Sequence, residues 1–394
     1  MQHPFKIYTE QVLSYHLSGQ KQEKCKNLPA RHDEEAQKHL RFASRRNAKQ
    51  IIVFGAGDGV LCTTLAEKKP SGLGLIVCDL YPEHARNITE KNSRPPHDSY
   101  TILADSSIWA ILLLLIQNGY SAAESHLILN PGLDGDSKTK HQNLQKLFSG
   151  TQKIVAPAQH PVCKISAAAI LSPDEPNLED FIKNFPEWVN EIVLVWDCEN
   201  SESIPQLKEF HQAEIINVQH PLDGHFSAQR NRMLENCSGE WIIYLDADER
   251  MNSESWNKMR LMTGFGGCNG WYLPRMTFYP DQNHCRIGYG LWPDLQLRLF
   301  KNTPNLKFIN KIHEQIVGME GSPGVLPHCP IQHLTHLLKS REKIESKLKS
   351  FNSSTGDRFS HRLGKDYPHI PNELLTPRQG VKLDGLLLPV VKMA

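Results

Sequence analysis

The stretch "HFSAQRNRMLENCSGEWIIYLDADERM", residues 225–251, decides the fold. Residues 225–237 suit a helix. "WIIYL" is apolar on both faces, which places it as a central strand in a sheet covered on both sides. That strand runs directly into Asp246, Asp248 and Glu249, with only Ala247 between the first two. Ligands of open α/β sheets bind at strand ends of this kind. Two carboxylates one residue apart can converge on a hard cation. Mg2+ and Mn2+ prefer oxygen donors and bridge carboxylates to substrate phosphates. The expectation is a metal site serving a bound diphosphate, the metal neutralising charge as the diphosphate leaves. The competing reading of a bare D-x-D is a solvated loop or a helix N-terminus.

Outward from this stretch, strands and helices alternate. "CKISAAAI" (163–170), "EIVLVWD" (191–197) and "AEIINV" (213–218) read as strands, with a helical stretch at 177–190. Beyond 269 the pattern becomes aromatic and β-like, in "GWYLPRMTFYP" and "LWPDLQLRLFK". Leu334, Leu337, Leu338, Ile344, Leu348 and Phe351 recur at helical spacing, and the tail after 352 reads as loop. Nearer the N-terminus, "IIVFGAGDG" is a short strand entering a glycine turn, followed by the strand "LGLIVCDL" and, later, "SHLILNPG". Such alternation implies parallel sheets with βαβ crossovers. The division expected is a helical segment at 1–47, a Rossmann-like domain at 48–160, a second α/β domain at 161–335 and a C-terminal helix and tail at 336–394.

Composition narrows the function classes. The chain has 394 residues, a formal charge of +1 and 39% hydrophobic residues, as a soluble globular protein does. Near-zero net charge offers no general argument for nucleic acid or membrane binding. The apolar run "IWAILLLLI" at 108–116 is too short to span a bilayer and reads as a buried helix. No signal-like segment opens the chain. Nine cysteines lack any C-x-x-C pair, which argues against a disulfide framework or a structural zinc. A cytoplasmic location is expected, with at most peripheral membrane contact.

The order of these pieces resembles the family 2 glycosyltransferases, which have the A-type (GT-A) nucleotide-sugar-binding fold. The resemblance covers about 165–335. It is carried by "ISAAAI", "EIVLVWDCENSES", "HFSAQRNRMLENCSGEWIIYLDADE", "LWPDLQLRLFKN" and "KIHEQ", and within the family it is greatest to the branch that decorates lipopolysaccharide cores and related surface glycans. The resemblance implies transfer of a sugar from a nucleotide-diphosphate donor to a glycan, lipid-linked or protein acceptor, with inversion at the anomeric carbon. It implies that Asp197 holds the donor's base or ribose, and that Arg230 and Asn231 face the nucleotide or its phosphates. Asp246 and Asp248 would hold Mg2+ or Mn2+, and Glu249 would sit behind them or near the sugar. Asp294 is the expected general base, within reach of the acceptor hydroxyl. Glu314 is its rival, Arg298 would stabilise the departing diphosphate, and His313 would be a metal ligand or acceptor contact. His333 and His336 form an H-x-x-H pair that lacks a partner set for a metal.

A rival reading rests on Gly55, Gly57, Gly59 and Asp79. Glycines after a strand let backbone approach a cofactor, and an acid at the next strand's end is placed to bind a ribose. This would suit an S-adenosylmethionine-dependent methyltransferase or a nicotinamide-binding domain. However, Val53 stands where methyltransferases usually carry an acid, and Val60 where the third Rossmann glycine falls. The unit resembles the accessory Rossmann-like domains that precede some surface-glycan glycosyltransferases. A non-catalytic nucleotide-sugar-binding module is the remaining alternative.

Overall fold

The computed structural model describes residues 3–15, 32–91, 100–159, 163–200, 203–311, 314–340, 342, 344 and 367–389. Helices α1 (Pro4–Leu13) and α2 (His32–Arg45) precede an alternating series. It runs β1 (Gln50–Phe54), α3 (Val60–Lys68), β2 (Gly74–Asp79), α4 (Pro82–Lys91) and β3 (Thr101–Ala104), then α5 (Ile108–Gln117), β4 (Ser125–Leu129) and α6 (Gly135–Gly150). The four strands are parallel, in the order β3-β2-β1-β4. This is the Rossmann-like sheet expected from the alternation. The apolar run at 108–116 is α5, buried at every residue from Ala110 to Gln117 and started by Ser107, whose hydroxyl accepts from Ala110 N at 3.3 Å.

The second sheet is larger. Its elements are β5 (Gln152–Ile154), β6 (Ile165–Leu171), α7 (Leu178–Lys183), β7 (Glu191–Trp196), β8 (Glu214–Gln219), α8 (Phe226–Asn236), β9 (Trp241–Tyr244) and β10 (Glu249–Arg250). There follow α9 (Ser253–Met262), β11 (Gly270–Thr277), β12 (His284–Arg286), β13 (Leu295–Lys301), β14 (Lys307–Ile309), β15 (Gln315–Val317), β16 (Gly324–Val325) and β17 (Ile331–His333), then α10 (Thr335–Leu338), β18 (His369–Pro371) and β19 (Gly385–Leu387); of these, β12 with β18 and β14 with β15 form two separate two-stranded sheets. Strands run β5-β19-β16-β11-β13-β9-β6-β7-β8 across the sheet, with β17 joining β11 to β10. β9, β6, β7 and β8 are parallel, so their C-terminal ends share one edge. β13 pairs antiparallel with both β9 and β11 and closes that edge from the other side.

Four expectations differ from what is seen. The strand at 241 stops at Tyr244, before the acids: Leu245 N still donates to Ala168 O, but Asp246 N turns to the Glu249 carboxylate at 3.0 Å. The helix expected over 177–190 ends at Lys183, three residues before Pro186, which cannot continue a helical ladder. The helix expected from 334 is interrupted: α10 ends at Leu338, Lys339 is extended with its ammonium on Asp248 and Glu175, and Glu342 and Ile344 are helical again, Ile344 N donating to Ser340 O at 3.1 Å; residues 345–351 lie outside the described residues. The tail read as loop supplies β18 and β19, and β19 is inserted between β16 and β5. Sheet hydrogen bonding therefore crosses the boundaries drawn near 160 and 336, because β5 and β19 pair with each other.

The hydrophobic core also crosses them. Phe5 and Tyr8 of α1, the α5 leucines, Phe54, Met276, Trp292, Ile370 and Leu386 pack in one buried cluster. A second cluster under the large sheet joins β6, β7 and β9 to α7 and α9.

Candidate active site

Asp246 to Glu249 make a tight turn between β9 and β10, with Glu249 N donating to Asp246 O at 2.9 Å. Arg250 fixes the turn from behind. Its guanidinium donates to the carbonyls of Ala247, Glu249 and Asn177 and lies over the Phe181 ring. β10 is held in turn by β17, which places His333 opposite Glu249.

The turn meets three arginines from three elements. Arg298 of β13 is 2% exposed, and one terminal nitrogen lies 2.6 Å from Asp246 Oδ2 and 2.7 Å from Glu249 Oε1. Arg230 of α8 reaches Asp246 Oδ1 at 3.3 Å and Glu314 Oε1 at 3.0 Å. Arg275 of β11 binds Asp294 Oδ2 at 2.6 Å and Glu249 Oε1 at 3.3 Å. The Tyr244 ring is shared by two guanidiniums, Arg230 at 4.6 Å and Arg298 at 4.4 Å from its centroid. Four carboxyl groups thus face three guanidiniums in one connected network. Burial alone would push the Asp246 carboxyl up, but Arg298 and Arg230 hold it well below the usual carboxylate range. Burial works against the Arg298 charge too, and Asp246 and Glu249 more than reverse it.

Asp248 faces the other way. Its carboxylate lies 3.6 Å from His333 Nε2 and 3.2 Å from Lys339 Nζ. Burial would raise its pKa; hydrogen bonding and charge from His333, then Lys339, hold it below the usual range. Asp294 sits at φ +36°, a conformation L-residues rarely adopt and one that concentrates at functional sites. Its second oxygen accepts from Gln296 Nε2 at 2.8 Å.

The other expected residues are placed as follows. Asp197 follows β7 on the same sheet edge, and its carboxylate accepts from Leu222 N at 2.7 Å. Asn231 bonds the backbone of Phe308 through both its amide atoms, at 3.0 and 2.8 Å, and so ties α8 to β14. Glu314 joins the network through Arg230. His313 lies outside the described residues. The two histidines of H-x-x-H diverge: His333 faces Asp248, and His336 faces Arg286. Sequence reasoning missed Arg275, Tyr244 and Lys339. Arg275 had a legible signal, a charge inside the otherwise apolar β11.

The oxygen donors of Asp246, which is 35% exposed, suit a hard divalent ion, whereas the Asp248 carboxylate is turned toward His333 and Lys339 and would have to leave them to share it. Among the described residues no set of three or more His, Cys, Asp or Glu side chains gathers as a metal cage. An ion here would take its remaining ligands from substrate phosphates.

In the first unit, Asp79 is fully buried, and its oxygens accept from Ala56 N and Tyr81 N, both at 2.7 Å. Asn130 donates to the carbonyls of Gly55 and Ala56, and a Cβ at Gly57 would stand 2.8 Å from its amide. Asp79, the ribose-binding acid of the rival reading, braces the glycine loop.

Residues 174–315 match the family model described as Glycosyl transferase family 2. The match spans the acidic turn, Arg230, Arg275, Asp294, Arg298 and Glu314. A TPR repeat-containing protein of Synechococcus elongatus is 23% identical over 155 residues, which are 39% of this chain and 36% of that protein. The chain thus spans about a third of the length of this curated relative. Among solved structures, TarS of S. aureus is 14% identical over 35% of this chain and 28% of its own, with a TM-score of 0.27. GalNAc-T7, solved with UDP, GalNAc and Mn2+, is 11% identical over 44% of each chain, with a TM-score of 0.32. No helix among the described residues is long and apolar enough to cross a membrane.

Proposed function

We propose that the chain is an inverting glycosyltransferase that moves a sugar from a nucleoside-diphosphate donor to an acceptor hydroxyl in bacterial surface-glycan synthesis. The observation that supports it is the network joining Asp246, Glu249 and Asp294 through Arg298 and Arg275, at the C-terminal edge of the parallel strands, inside the family 2 match. In this reading Asp197 binds the donor's base or ribose. Arg230 faces the diphosphate and, with Arg298 behind it, offsets the charge that develops as the bond from the anomeric carbon to the diphosphate oxygen breaks. Asn231 keeps α8 aligned for this. Asp294 takes the proton of the acceptor hydroxyl as its oxygen bonds the anomeric carbon from the opposite face. Glu314 orients Arg230 and is the alternative base. Asp246 and Asp248 would hold Mg2+ or Mn2+, which would add charge neutralisation at the diphosphate; His313 would be a further contact to the metal or the acceptor.

The test is a thermal-shift screen with UDP-, GDP-, CMP- and dTDP-sugars, with and without Mn2+, beside S-adenosylmethionine and NAD. A ligand that binds only the folded state raises the melting temperature. The expected outcome is a shift with one nucleotide class that grows with Mn2+. A shift with S-adenosylmethionine alone would move the function to the glycine loop of the first unit.

A further inference from the structure

Arg286 ends β12, and a bridge between Phe278 and Cys285 sets it beside the end of β11, three residues past Arg275. Arg230, Arg275 and Arg298 each hold a carboxylate at 3.0 Å or closer. Arg286 differs. Among the described residues no carboxylate lies within 4 Å of it. Its guanidinium lies over the Tyr367 ring at 4.7 Å, one terminal nitrogen is 3.1 Å from His336 Nε2, and its Nε is buried without a partner. His336 supplies no counter-charge: burial first, then the Arg286 charge, pull its pKa down to about 4, so at neutral pH it is an uncharged acceptor. A part-buried cation with an open donor is costly unless an anion completes it. Stacking on one tyrosine recovers only part of that cost.

The position matters as much as the charge. Arg275 and Asp294 both act electrostatically on Arg286. On the other side, His336 is three residues past His333, which touches Asp248 and bonds Thr277 Oγ1 at 3.0 Å. Tyr279, Tyr367 and His336 pack edge to face around it, with ring centroids 5.3–5.9 Å apart. Aromatic faces beside a planar guanidinium with free donors suit a sugar ring that bears a carboxylate or phosphate, which an arginine can grip through two oxygens.

We propose that Arg286 receives an anionic group on the acceptor, so that the acceptor is an acidic glycan, its carboxylate or phosphate on Arg286 and its reacting hydroxyl toward Asp294. This rests on the transferase reading above. Equilibrium binding of glucuronate, glucose 6-phosphate and glucose to the full chain tests it, with the nucleoside diphosphates UDP, GDP and dTDP measured in parallel. At least one acidic sugar should bind ten-fold or more tightly than glucose, and which of the two prevails tells carboxylate from phosphate. Arg286→Gln should bring all three within two-fold of one another. Arg286→Lys, which keeps the charge but not the fork, should retain an intermediate preference and serves if the glutamine variant melts early. Equal affinities in the unaltered chain, or a preference that survives Arg286→Gln, would overturn the proposal. So would loss of nucleoside-diphosphate binding in Arg286→Gln with the sugar preference unchanged, which would make Arg286 a donor contact. An acidic-sugar preference in a chain that binds none of the nucleotides would support the anion site and sink the transferase reading instead.

Discussion

Arg298 is the residue on which the acidic turn leans, and truncating it leaves Asp246 and Glu249 facing each other in a buried site. Arg298→Ala should cost about 3–5 kcal/mol in urea denaturation, the usual penalty for removing one partner of a buried ion pair. Asp248 tells binding from scaffolding: Asp248→Ala should abolish Mn2+-dependent donor hydrolysis while leaving the far-UV spectrum unchanged. Retained Mn2+-dependent activity would remove the metal role. Asp294→Asn should lower kcat more than donor affinity, since a base acts in the chemical step; an effect on affinity alone would make Asp294 a binding residue. A separate residue governs pH. Asp105 is buried against the Tyr8 hydroxyl, and burial, only partly countered by hydrogen bonds from Tyr8 and Ser107, raises its pKa to about 7. A carboxyl that stays protonated when folded and ionises when unfolded stabilises fully below about pH 4, and that stabilisation is lost as pH rises to about 7. Melting temperature should therefore fall across that window, and Asp105→Asn should flatten the profile.

At the scale of elements, β9 approaches β6 so closely at Gly239 that an added Cβ would stand 2.6 Å from both Ser166 N and its hydroxyl. Gly239→Ala should push the entry of β9 away from β6, cost about 1–3 kcal/mol by chemical denaturation, and lower donor hydrolysis through the turn at the strand's far end. The strand that leads to this turn was legible in the sequence, because "WIIYL" is apolar on both faces and stops at charge. So were α5 and the parallel strands of the first unit. Asp246 as the meeting point of two arginines was not legible, because Arg230 and Arg298 come from a helix and a strand 68 residues apart. The break after α10 was not legible for a similar reason: the leucine spacing is helical, but Lys339 is drawn out of the helix by the acids Asp248 and Glu175, which lie far away in sequence. β18 and β19 are three residues each, too short for periodicity to register, and are made strands by the partners they find.

For the whole molecule, the cluster that joins α1 and α5 to Met276, Trp292 and Leu386 ties the two sheets into one cooperative body. Calorimetry should show a single unfolding transition; two separated transitions would mean that the first unit melts by itself. Deleting residues 367–394 should give a chain that fails to reach the native far-UV spectrum, because the deletion takes away the strand between β16 and β5. That strand also sets an order of events during synthesis. β5 emerges from the ribosome more than two hundred residues before its partner β19, and β16 waits about sixty. Until residue 387 is made, both leave an edge unpaired, and such edges recruit other chains. The large sheet therefore closes last on its β5 side, and a newly made chain depends on protection of those strands in the interval.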